Sequence, residues 1–162
     1  MRNSAVVLLF LFCAAFLVAE PARAGKNDDA WAQCLWAEAP KSASNWIAMT
    51  PTKADALGSK DPYSLLAVRL EGICREKLIP PGKKYAPDFK SKSVRESLMA
   101  TKPTVVGSDV AVSNAIRCEF FEEDEMLGMT IGYGDPSKLQ TRPPVTSLKC
   151  QRINDDGTLT EA

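Results

Sequence analysis

Residues 62–78 read PYSLLAVRLEGICREKL. Tyr63, Leu66, Ala67, Leu70, Ile73, Cys74 and Leu78 recur at three- and four-residue intervals, so they line one stripe of an α-helix. Asp61-Pro62 is a helix start, an acidic cap followed by a proline whose missing N–H costs nothing there. Pro80-Pro81-Gly82 is a stop. Cys74 shares the stripe with Leu70 and Ile73, so a disulfide made by Cys74 has to be buried against a neighbouring element.

Upstream, DDAWAQCLWAE (residues 28–38) reads as a second helix, with Asn27 as its N-cap, Asp28 and Asp29 in the first turn, and Pro40 closing it. Trp31, Cys34 and Leu35 share a face, and a Cys34–Cys74 bridge would staple the two helices through their buried sides. Trp46, Ile47 and Met49 add to the apolar supply, and TPTKADALG (50–58) has the start and stop signals of a short helix. Downstream, residues 79–92 form a proline- and lysine-rich loop. Ser93-Val94-Arg95-Glu96 matches a capping box, which places a short helix before Pro103.

Past that point the pattern changes period. TVVGSDVAV (104–112) and NAIRCEFFE (114–122) are β-leaning, with Ile116, Cys118 and Phe120 alternating onto one face. MLGMTIGYGD (126–135) reads as a strand ending in a glycine-rich bend, where Gly132 and Gly134 supply positive φ or close approach. TSLKCQRI (146–153) is another strand, NDDG a hairpin turn and TLTE (158–161) a last short strand. The expected fold class is α+β, with a helical half (27–102) of three to four short helices and a strand-rich half (104–161) forming a small antiparallel sheet.

The first 24 residues read differently. Arg2 precedes an apolar run from Ala5 to Ala19, and Ala22-Arg23-Ala24 is a small-residue site, which is the layout of a secretory leader. The run is 15 residues, short of the roughly 20 that cross a bilayer as a helix. Cleavage after Ala24 leaves a single exported domain, residues 25–162, periplasmic or secreted. Four of the five cysteines remain in it: Cys34, Cys74, Cys118 and Cys150. An even number in an exported chain implies disulfides. Four cysteines allow three pairings; Cys34–Cys74 and Cys118–Cys150 are preferred because each then lies within one half. The chain-entropy gain is about 4 kcal/mol for each loop.

The letters T-x-G-Y-G-D within MTIGYGD (129–135) coincide with those of a potassium-channel selectivity filter. A filter needs spanning helices to bury its loop at membrane depth. No uninterrupted apolar run after residue 24 exceeds four residues, as in WIAM and LLAV, so the coincidence carries no channel, and no transmembrane segment is expected in the mature chain.

Composition narrows the chemistry. Charges balance at 20 against 20, and there is no histidine, which removes the commonest general base and the commonest metal ligand. No G-x-S-x-G elbow, C-x-x-C pair or phosphate-binding glycine loop occurs, and neither a cofactor nor a metal is expected. Glu119, Glu122, Glu123, Asp124 and Glu125 form the densest acidic cluster, read as a solvated hairpin turn. Glu119 and Glu122 are the pair an acid-based hydrolase would use.

Charge is also segregated along the chain. Residues 75–102 carry eight basic and three acidic residues, whereas residues 118–135 carry six acidic and none basic. Tyr85 and Phe89 interleave with Lys83, Lys84, Lys90 and Lys92. Basic residues with aromatics suit nucleic acid, which an exported chain seldom meets. An anionic envelope polymer or an acidic partner protein fits better. The sequence thus points to a non-catalytic, exported binding or envelope-maintenance protein. The alternatives are a secreted hydrolase using acids near Glu119 and Glu122, and an inhibitor or immunity-type protein acting through a fixed loop such as 79–92.

Overall fold

The computed structural model describes residues 25–52 and 60–162. The leader expected over residues 1–24, and most of the short helix expected over 50–58, lie outside the described residues.

Four helices come first: α1 (Lys26–Glu38), α2 (Pro40–Ala48), α3 (Pro62–Arg75) and α4 (Ser91–Ala100). Asp61 caps α3 as its position implies, accepting the Ser64 N–H at 2.9 Å. Two other caps differ from expectation. The N-cap of α1 is Gly25 rather than Asn27, because the Asp28 carboxylate reaches back to the Gly25 N–H at 3.1 Å. The capping box expected at Ser93 does not form: α4 begins at Ser91, and the Ser93 hydroxyl, already one turn inside, donates to the Lys90 carbonyl. Pro40 ends α1 but also opens α2 at its first position, so SASNWIA is helical.

Helix α3 also carries more than the single stripe expected of it. Leu66, Leu70 and Cys74 join Trp31, Leu35, Trp46, Val94 and Leu98 in the helical core. Leu65 turns the other way and packs with Ala115 and Ile153 of the sheet. Helix α3 therefore lies between two cores. The Cys34–Cys74 disulfide joins it to α1 inside the first.

The second half is an antiparallel sheet in the order β2-β1-β3-β4, from β1 (Ala115–Glu122), β2 (Glu125–Tyr133), β3 (Ser147–Ile153) and β4 (Leu159–Glu161). Cys118 lies directly opposite Cys150 on neighbouring strands, and the two are bonded. The chain is thus α+β with both disulfides paired within their own halves. TVVGSDVAV forms no strand. Its backbone is engaged elsewhere: the N–H groups of Val110 and Ala111 both donate to the Glu38 carbonyl at the end of α1. Val105, Val110 and Val112 are left 82%, 74% and 89% exposed. β-propensity is a preference for a half-buried pleated surface, and this segment is offered none.

The sheet meets α3 through the face opposite Ile116, Cys118 and Phe120. Tyr133 marks the contact: its hydroxyl donates to the Val68 carbonyl at 2.9 Å and its ring lies against Gly72 of α3. The tyrosine of the filter-like letters is thus a packing residue. Gly134 after it has φ of +141° and makes the expected bend, whereas Gly132 pairs with Ile116 inside the ladder. A Cβ on Gly72 would overlap the Tyr133 ring. Gly72→Ala in a free helix would gain about 1 kcal/mol. Here the sign reverses, and we expect a loss of about 1–3 kcal/mol, read as a lower urea midpoint. Tyr133→Ala combined with Gly72→Ala should recover the helix-forming gain of the alanine.

Candidate functional site

The 79–92 loop is held at three points. The Lys83 N–H closes a turn onto the Pro80 carbonyl at 3.0 Å, with Gly82 at φ of +76°. Further on, the Trp31 indole N–H donates to the Pro87 carbonyl at 3.3 Å. Phe89 then enters the helical core, edge-on to Trp31 with ring centres 5.0 Å apart and tilted toward Trp46 at 6.0 Å. Phe89 is therefore not an aromatic interleaved with the lysines at the surface; its ring is the loop's anchor. The other ring of that group, Tyr85, is 76% exposed. Lys83, Lys84, Lys90 and Lys92 are exposed as well. Among the described residues none of these four lysines is in an ion pair, whereas nearby Lys77 is paired with Glu38. What results is a fixed loop that presents cations and one phenol to solvent.

The acidic segment is the β1–β2 hairpin. Glu122 pairs with Glu125 across it, and Glu123 occupies the left-handed region at φ of +53°. Among the described residues no group of three cysteines or carboxylates is placed to hold a metal ion. Glu119 lies apart from the turn acids. It accepts the buried Arg117 guanidinium at 2.7 Å and faces Lys60 at 3.8 Å. The Arg117 hydrogen bond, outweighing partial burial, holds the Glu119 carboxyl below the usual range. A general acid requires the opposite shift. Glu119 and Glu122 are also three residues apart on a strand, so their side chains leave opposite faces and do not converge on one bond.

A polar cluster that the sequence pattern did not reveal joins the two halves. Asp109, from the irregular 103–114 segment, accepts the Ser42 N–H at 3.0 Å and the Ser42 hydroxyl as well, capping α2 from a distance. Arg69 of α3 donates to Ser42 Oγ at 3.2 Å and to the Ile153 carbonyl of β3 at 2.8 Å, and pairs with Asp109 at 3.4 Å. Beside it Lys41 pairs with Asp155 of the β3–β4 turn at 2.7 Å, and Asn45 donates to the Asp155 carbonyl at 3.0 Å. Lys41, Arg69, Asp109 and Asp155 border a depression of about 500 Å³ that is also lined by Ser108, Asn154 and Asp156. Its inner groups are saturated by one another: the Ser42 hydroxyl is buried and donates to the Asp109 carboxylate, which Arg69 already holds. The cluster is a clamp between the halves. Its one signal in the sequence was Arg69, the single charge in residues 62–70.

Among the described residues no helix is long and apolar enough to cross a membrane. Comparison with protein-family models, with curated proteins and with solved structures finds no match to this chain.

Proposed function

We propose that the chain is an exported, disulfide-stapled binding protein without catalytic activity, and that residues 83–92 take an anionic partner, either an envelope polymer or an acidic protein surface. The observation that carries this is the pinned loop: Phe89 and Pro87 fix its base on Trp31 while Lys83, Lys84 and Tyr85 stand in solvent. A rigid presenter loses little entropy on binding. Two disulfides suit an oxidising compartment, in keeping with the leader-like first segment. Glu119 and Glu122 do not converge, and Ser42 of the clamp is enclosed.

The test is charge reversal. Lys83→Glu, Lys84→Glu, Lys90→Glu and Lys92→Glu together should lower retention on an immobilised anionic polymer at least about tenfold, with wild-type retention falling steeply as salt rises. Stability should stay within about 0.5 kcal/mol, because all four side chains are exposed. Unchanged retention would remove the loop from the account. The same fixed loop suits an inhibitor; crosslinked capture from the extracytoplasmic fraction that recovers one dominant enzyme, blocked in activity, would favour that role over a polymer binder.

A further inference from the structure

We propose that removal of the leader completes α1: the amino group freed at Gly25 forms an ion pair with the buried Asp28 carboxylate. This rests on the export reading, in which the chain is cut after Ala24. Hydrolysis of the Ala24–Gly25 peptide bond consumes one water, leaves a carboxylate on Ala24 and, at neutral pH, an ammonium on Gly25. The nitrogen is already in place, since the Gly25 N–H donates to Asp28 Oδ2 at 3.1 Å. Asp28 is only 8% exposed, and among the described residues no cation is paired with it. A buried carboxylate without a cation is costly. Replacing a neutral amide donor by an ammonium converts the contact into a charge-assisted one.

The surroundings set the sign. An ammonium at a helix N-terminus opposes the helix dipole, so it needs local acids. Asp28 supplies the contact. Asp29 lies one residue on, with its carboxylate accepting the Ser97 hydroxyl of α4 at 2.8 Å. Asp88, Lys26 and Lys90 line the same hollow of about 210 Å³ with Gly25, Asn27 and Asp28. Within the hollow Asp28 and Asp88 balance Lys26 and Lys90, and Asp29 adds a third carboxylate beside it. The position is selective: a cut one residue later removes Gly25, and one residue earlier moves the charge about 3.5 Å along the chain. The hollow also borders the segment that carries Lys90, so processing adjusts charge next to the proposed binding loop.

The protein recovered from the exported fraction of an expressing cell is first sequenced from its N-terminus, and its amines are then reductively methylated with a 13C label and titrated by NMR. The Gly25 amine should titrate roughly 0.5–1 unit above the ordinary α-amino range of about 7.7–8.0. The same step should appear in the Asp28 carboxylate carbon shift, a readout that needs no variant. Asp28→Asn should return the amine to the ordinary range. A Gly25 start with an ordinary amine titration in the wild type, or equal titrations in both proteins, overturns the ion pair alone. A different first residue, seen before any titration, overturns the cleavage site and the ion pair with it.

Discussion

Cys74→Ser lowers unfolding free energy by about 4–5 kcal/mol, a large part of the roughly 5–15 kcal/mol that holds a domain of this size. Two costs combine. Opening the 40-residue Cys34–Cys74 loop returns about 4 kcal/mol of chain entropy to the unfolded state. The remainder is local: Cys74 is fully buried among Leu66, Leu70 and Trp31, and a hydroxyl placed there has no apolar-compatible partner. The double variant Cys34→Ala with Cys74→Ala isolates the first cost and should lose about 3–4 kcal/mol. Urea unfolding measures both. Reductant should bring the wild type to the level of the double variant or below, since it opens the second bridge as well. A loss under about 1 kcal/mol in the double variant would mean that the helical core does not depend on its staple.

Asp109→Ala is expected to cost about 2–4 kcal/mol through a different mechanism. Its side chain answers the Ser42 N–H, the Ser42 hydroxyl and the Arg69 guanidinium together. Truncation leaves Arg69 in a largely enclosed site with the Ile153 carbonyl and Ser42 as its remaining partners. Breaking one side of such a pair costs more than removing both. Arg69→Met combined with Asp109→Ala should therefore be less damaging than the sum of the single changes, with a coupling of about 1 kcal/mol or more. Asp109→Asn keeps an acceptor for the Ser42 amide and should lose only about half as much as the alanine. Additivity in the double variant would show that the two residues act separately and that the halves are not clamped here.

These two sites differ in how visible they were before the structure. The staple was legible because Cys74 falls on an apolar helical stripe and Cys34 on another; local periodicity states which faces must meet. The clamp was not legible, because it is made from Ser42, Arg69, Asp109 and Ile153, residues drawn from four separated segments, none of which has a local pattern that requires it. The same distinction explains the misread 104–112 segment. Its valines favour a strand, but the Glu38 carbonyl and the Ser42 amide take its hydrogen bonds, and local propensity yields to tertiary partners. Helix α3 was read on one face only, because Leu65 breaks no helical spacing and announces no second core. In the candidate loop, the lysines were legible as a charge run. The inward turn of Phe89 depends on Trp31, 58 positions upstream, and no short window contains both.

The central claim is that two separately stapled halves form one exported domain. Non-reducing peptide mapping of the protein recovered from an oxidising compartment tests it most directly. The account predicts linked peptides joining Cys34 to Cys74 and Cys118 to Cys150, with a first peptide that begins at Gly25. Four alkylatable thiols, or a bridge from the helical half to the sheet, would contradict it.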